Sequence, residues 1–539
     1  VLILLQSAAL LTQGGNPPHT AYRGVFRFLI VLIIALAAYP ASAVDAQQIR
    51  DFLARQPDDL IYTSSLRPVR QLEVQRFYAS REFRPIWKYG DRREQLEQAV
   101  ASLLGDGLNP AHYRVPSAKE VDTALGEVSA TAVWMQAALD LRFGRLDRSQ
   151  IEPIWHYFSD FADDARALLL NTLLFKIDEP LAAIEALRPD TPVYQRLREE
   201  YLRRYRQQGQ PPPAYVPPGP TLSPGDRGYR VARLRDRLRA TGQEFASHFG
   251  EDYYDAELSE AVKRFQYRHS LAEDGHVGPA TLAALNVTPD ERLGQLRANL
   301  ERWRWMTPEL EDNLLLVNIA GARLKYFVNG EQVWVSRTLV GRNSRPTPAL
   351  KSLVTYLTFN PDWTIPPTIF REDKQPQIQE NAQFFEENPY IVVDHSGRQV
   401  DPATVNWDNP KGVLLRQRPG PENPLGQVVV RFPNPFSVYL HDTPNKALFG
   451  KVRRAGSSGC VRVEEAVDLA YLIMRNAGDY FPAEVDELFR RGEKRNVNLV
   501  TQIPILMDYW TADIDEAGRL IFQADIYDRD RALSLALEE

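Results

Sequence analysis

The residues best equipped for chemistry lie in one stretch, His441–Arg462, which reads HDTPNKALFGKVRRAGSSGCVR. It contains the single cysteine of the 539-residue chain, Cys460, and one of eight histidines, His441. The other seven (His19, His112, His156, His248, His269, His276 and His395) lie farther from Cys460 in sequence. A free thiol has a pKa of about 8.5, so a working cysteine needs a base or a positive field. His441 ends a strand-like run, FSVYLH, and would be the base. Cys460 comes after a small-residue turn, Ser457-Ser458-Gly459, ahead of an amphipathic run at Glu464–Asn476 whose Val467, Leu469, Leu472 and Ile473 form an apolar side. The thiol is therefore expected at a helix N-terminus. There the dipole lowers its pKa, and the N–H groups of the Gly459 turn offer an oxyanion hole. Gly459 permits positive φ and a close approach of substrate. Asp442 should fix the imidazole tautomer through its carbonyl or its side chain, the carbonyl being favoured because adjacent side chains on a strand point to opposite faces. Tyr439 should share the face of His441 by two-residue alternation, with Leu440 turned into the core. Arg462 is placed to meet a substrate carboxylate or to bridge to Glu464 or Glu465. The chemistry implied is that of a thiol nucleophile with its base and an oxyanion loop.

Other readings of the same residues are weaker. A lone cysteine is often an inert buried thiol. His441, Asp442 and Cys460 lack metal-ligand spacing, so no metal or cofactor is expected. Papain-like peptidases place cysteine before histidine, the reverse of this order. A redox cysteine would lack a resolving partner.

The elements that must position this site belong to a chain long enough for three or four domains. One cysteine excludes an intrachain disulfide. A net charge of −6 argues against a nucleic-acid partner. Residues 1–43 read as a leader: Arg23 and Arg27, an apolar run Phe28–Ala38, then Ala41-Ser42-Ala43. This is the order of a secretory signal peptide, with retention as an inner-membrane anchor the second choice. The mature chain is expected in an exported, oxidising compartment, which the resemblance described below implies is the periplasm, and the stretch before Ala21 suggests an over-extended start, with a signal-anchor the alternative. Residues 44–218 show three- and four-residue apolar spacing throughout and read as an α-helical scaffold without a site of its own. Gln208–Pro220 is a stiff proline-rich linker. Residues 221–288 read as a three-helix unit, with helices at Val231–Ala240, around Leu258–Phe265, and beginning at an N-cap Thr281. Residues 289–539 open with a helix and then change to strand alternation around an Asn329-Gly330 hairpin turn. Many short strands indicate a mainly β, sandwich-like domain. Between about 366 and 426 the alternation is lost. This insertion is a candidate lid, and Arg416, Gln417 and Asn423 near its end are candidate substrate contacts.

Two resemblances sharpen this α+β, multidomain picture. Gly228, Val231, Leu234, Leu238, Gly242, Ala261-Val262, Phe265-Gln266, Asp274-Gly275, Val277-Gly278 and Thr281-Leu282 resemble the peptidoglycan-binding-domain-1 pattern. His441 followed by Ser457-Ser458-Gly459-Cys460-Val461-Arg462 resembles the L,D-transpeptidase signature. NLERWRW, FNPDWTIP, LRQRPGPENPLG and YLHDTP are similar to the large periplasmic branch of that family, which commonly has serine at the position of Ser458. The resemblance implies attack of Cys460 on tetrapeptide stems of peptidoglycan, release of D-alanine and 3→3 cross-linking, a role in cell-wall organisation and cell shape. It implies donor and acceptor stems as partners and carbapenems as inhibitors. An L,D-carboxypeptidase or a non-catalytic wall-binding scaffold are the alternatives.

Overall fold

The computed structural model describes residues 44–57, 68–152, 155–156, 162–243, 245–246, 249–477 and 480–538. The leader and cleavage site expected within residues 1–43 lie outside these residues. The helical region is built around α1, Ala124–Phe143, which is buried on nearly every side. Such a helix cannot be amphipathic; it is wrapped by Gln71–Ala79, Arg92–Ser102, Ala162–Leu174 and Pro180–Glu185. Tyr78, Trp87 and Trp134 fill its core. One feature departs from an all-helical scaffold: Trp155–His156 forms a short strand, parallel to Ala349–Leu350 of the β domain. Two residues are too few for an alternation signal.

The proline-rich linker is pinned rather than free-standing. Val216 is buried, and its N–H and C=O both bond to the Asn286 side chain. Three helices come next, α2 (Tyr229–Arg239), α3 (Ala256–Arg268) and α4 (Pro279–Asn286), around Val231, Leu234, Leu238, Leu258, Val262 and Phe265. Thr281 is not the cap of α4; Gly278 is. Pro279 sets the first turn, and Thr281 instead accepts from Gln266. The unit docks on the hairpin Ala512–Phe522 through Tyr267, whose hydroxyl donates to Asp515 at 2.8 Å, and through His269, which stacks between Phe265 and Phe522.

The helix α5, Pro289–Met306, ties the parts together. Its Arg302 pairs with Glu152 and Asp530, its Arg304 with Glu301, and Asn299 bonds Thr511. Arg148 of the scaffold meets Asp508 of the β domain. All of these groups are buried, so each charge needs its partner.

The β domain contains β1 (Leu314–Asn318), β2 (Arg323–Val328), β3 (Glu331–Gly341), β4 (Ala349–Phe359), β5 (Val428–Arg431), β6 (Leu440–His441), β7 (Val461–Val463) and β8 (Arg495–Asp508). The β2–β3 turn is Asn329-Gly330, both at positive φ, as a two-residue hairpin of right-handed twist requires. Strand pairing runs β4-β5-β6-β7-β3-β2-β1-β8, and β8 pairs back to β4. The circuit closes, so this sheet leaves few open edges. Its core includes Leu315, Val340, Leu357, Val430, Leu440 and Val461, with the helix α6 (Ala466–Ala477) packed on it.

The insertion is more ordered than its sequence suggests. It holds its own four-stranded sheet, in the order Trp363–Thr364, Val413–Gln417, Tyr390–Asp394, Gln399–Val400, and a small core of Ile365, Ile378, Phe384, Val392 and Leu415. Strands this short, interrupted by Asx turns at Asp394 and Asp401, carry too little alternation to be seen in the sequence.

Candidate active site

β6 and β7 are adjacent and parallel, with Leu440 opposite Val461 and His441 opposite Arg462. Leu440, Val461 and Val463 are core residues. Alternation therefore places Tyr439, His441, Cys460 and Arg462 together on the other face. One step back along the register sets Cys460 beside Tyr439, and the Val461 N–H donates to the Tyr439 carbonyl. His441 lies diagonally from the thiol, about 8 Å between backbones by sheet spacing. Tyr439 and His441 rings meet edge to face at 5.6 Å.

Cys460 is half-buried. Burial pushes its thiol above the ordinary value; the Tyr439 N–H and hydroxyl, and the charges of Arg431 and Arg462, act in the opposite direction. His441 is 5% exposed. Burial, then Arg462 and Arg431, lower it to about 3, against the carbonyls of Asp442 and Pro424. Its Nδ1 lies 2.5 Å from the Asp442 carbonyl. A carbonyl only accepts, so Nδ1 carries the proton. The Asp442 side chain points away, bonding Lys446 at 2.6 Å and the Gln427 N–H at 2.9 Å. Gly426 is required there: its φ is +62°, and a Cβ would strike the Asp442 carboxylate.

The structure corrects the expected role of the helix. α6 begins at Ala466, and β7 intervenes between it and Cys460. The thiol opens a strand, about 10 Å of extended chain from the helix end, beyond the reach of its dipole. The oxyanion donors are corrected too. The Gly459 N–H donates to Ser457 Oγ at 3.1 Å, and Ser457 Oγ donates to the Cys460 carbonyl at 2.5 Å. Among the described residues the Cys460 N–H has no such partner. Gly459 has φ +111°, which L side chains rarely adopt. Its carbonyl accepts from Thr347 Oγ1 at 2.8 Å. Ser458 Oγ accepts from Arg345, which also pairs with Asp373 and Glu372 of the insertion.

Arg462 makes no bridge to Glu464; that carboxylate pairs with Arg337. The Arg462 Nε is buried without a partner. Three candidate substrate contacts have other work. Asn423 donates to the carbonyls of Pro361 and Arg418 and accepts from the Leu425 N–H, which exhausts its amide donors inside the fold. Gln417 is buried and donates to the Glu422 carbonyl. Arg416 bonds Thr364 and lies 3.6 Å from Asp362. Together they brace the turn that brings Pro424 to His441. Residues not singled out from sequence complete the site: Arg431, Trp363, whose side chain bonds Tyr439, and Arg345 and Thr347 under the cysteine turn. Arg431 carries the one legible signal, a charge in the apolar run VVVRF.

Comparison with known proteins bears on the domains of the chain. Family models match residues 312–485 as "L,D-transpeptidase catalytic domain", 72–200 as "Scaffold domain" and 227–285 as "Putative peptidoglycan binding domain". A "Putative L,D-transpeptidase" of Haemophilus influenzae is 33% identical over 275 residues, covering 50% of this chain and 55% of that relative; the chain thus spans about half of the relative's length. Solved L,D-transpeptidases from Xylanimonas cellulosilytica and Stackebrandtia nassauensis match at 15% and 11% identity, with TM-scores of 0.18 and 0.20. They cover 54% and 53% of this chain and 100% and 94% of their own, and at those scores they bear no weight. The chain carries an L,D-transpeptidase catalytic domain of the YkuD family. It joins that domain to a helical scaffold and a peptidoglycan-binding domain.

Proposed function

We propose that the protein is a peptidoglycan L,D-transpeptidase that forms 3→3 cross-links by a cysteine thioester, working outside the cytoplasmic membrane. The observation that supports this best is the common face of Tyr439, His441, Cys460 and Arg462 on two paired strands. The thiol and imidazole are shifted apart, so the resting pair is neutral rather than thiolate and imidazolium. Proton transfer then accompanies attack. The sulfur of Cys460 adds to the carbonyl carbon of the third stem residue, and its proton passes to Nε2 of His441. The Cys460 N–H faces the developing oxyanion. The carbon–nitrogen bond breaks, the imidazolium protonates the D-alanine amine, and the tripeptide remains as a thioester. The side-chain amine of a second stem attacks the thioester, gives up its proton through His441, and regenerates the thiol.

The insertion is proposed as the lid that dries this step, since Trp363 and Pro424 touch Tyr439 and His441 directly. Incubation with purified tetrapeptide stems tests the reading. A 3→3 dimer plus D-alanine is expected. Tripeptide alone would instead make the protein an L,D-carboxypeptidase, and unchanged stems would leave only a wall-binding scaffold.

A further inference from the structure

The acyl-transfer steps leave two cations on the active face unused, Arg462 and Arg431. Val428 and Val430 of β5 are core residues, so Arg431 stands on the opposite face, that of Cys460. Arg431 pairs with Tyr356 of β4 on one side, and the β5–β6 register places Tyr439 on the other. A single cross-strand row thus runs Tyr356, Arg431, Tyr439, Cys460. The Arg431 guanidinium lies 4.3 Å from the Tyr439 ring centre, leaning over the residue that separates it from the thiol. Its Nε is buried with no partner, and its side chain has no hydrogen bond or ion pair among the described residues.

A half-buried guanidinium leaning on the Tyr439 ring, without a counter-charge, is costly unless something supplies one. The planar fork suits a carboxylate. We infer that Arg431 is a specificity residue that binds a carboxylate of the donor stem peptide, an inference resting on the transpeptidase reading. About 10 Å, two strand spacings, separates its backbone from that of Cys460. On the transpeptidase reading the third stem residue is diaminopimelate, so the donor offers two carboxylates close to the bond attacked: the terminal one of D-alanine and the side-chain one of the diaminopimelate before it. Arg462, one row away, is the lateral neighbour of His441 and is left for the other end of the substrate or for the base.

The test uses the full chain with Cys460→Ala, which removes acylation and any effect of charge on the thiol. Calorimetry measures binding of three tetrapeptides: both carboxylates free, terminal carboxamide, and side-chain carboxamide. Arg431→Gln should weaken the free peptide about ten- to hundredfold. One of the two amidated peptides should already be weak with Arg431 present and lose nothing further, which identifies the carboxylate. Arg431→Lys should fall between. Equal loss on all three peptides, no loss on any, or no binding by Cys460→Ala itself overturns the assignment. Turnover of free tetrapeptide by Arg431→Gln with unchanged KM would also overturn it while leaving the transpeptidase reading intact.

Discussion

Burial moves the two reacting groups at the centre of the site in opposite directions. The thiol rises and the imidazole falls to about 3. A thiolate–imidazolium pair would need the reverse. Alkylation by iodoacetamide, monitored over pH 5–10, should therefore climb through a single step on the alkaline side. It should show no shoulder near pH 6.5, where an unperturbed histidine titrates. A reactive plateau at pH 6 would contradict the neutral pair. Cys460 and His441 are legible in the sequence because a solitary cysteine and a histidine 19 positions before it constrain the chemistry tightly. Tyr439 is legible through strand alternation. Arg431 shows in the sequence only as a charge in the apolar run VVVRF; its place beside the site comes from lying two strands away across a ladder that sequence spacing does not reveal.

At the scale of elements, the cysteine turn is fixed by the residues beneath it rather than by a helix. Thr347 holds the Gly459 carbonyl, Tyr527 holds the Thr347 N–H and the Gly341 carbonyl, and Arg345 links Ser458 to the insertion. Arg345→Ala should loosen the insertion from the turn. Hydrogen exchange is expected to quicken across 367–380 while the β5, β6 and β8 amides keep their protection. Unchanged exchange in that segment would show that the ion pairs with Asp373 and Glu372 hold nothing, as exposed pairs often do. Apolar spacing marks the helix within Glu464–Asn476; of the four residues on that face Leu469 and Ile473 are buried, and Val467 and Leu472 are half-buried. Spacing does not reveal the strand Val461-Arg462-Val463 that separates Cys460 from the helix, because three residues carry too little alternation. The insertion's sheet is invisible for a similar reason: strands of two to five residues are fixed by their tertiary neighbours.

For the whole molecule, the helical scaffold is joined to the β domain by buried charges and by a shared strand, so the parts should unfold together. Glu127 in α1 is a measurable reporter of that scaffold. It accepts the Ile86 and Trp87 N–H groups and the Tyr78 hydroxyl, and burial raises its carboxyl to about 7. A raised carboxyl contributes stability that is complete below its unfolded pKa and lost as pH rises through 7. Relative to Glu127→Gln, the natural chain should lose roughly 3 kcal/mol between pH 4.5 and 8, read from denaturant unfolding. A difference independent of pH would contradict a carboxyl raised in this way. Domain order and class are legible from periodicity, since long helices and alternating strands announce themselves. The interfaces are not, because Arg148 and Asp508 are far apart in sequence and meet only in the fold. Covalent attachment of the stem peptide to Cys460 is the step from which the rest of the reaction follows. Intact-mass spectrometry of the full chain mixed with tetrapeptide should show one tripeptide acyl group on the natural protein, and none on Cys460→Ala. An adduct that survives in Cys460→Ala, or a natural protein that gains no mass while D-alanine is released, would contradict it.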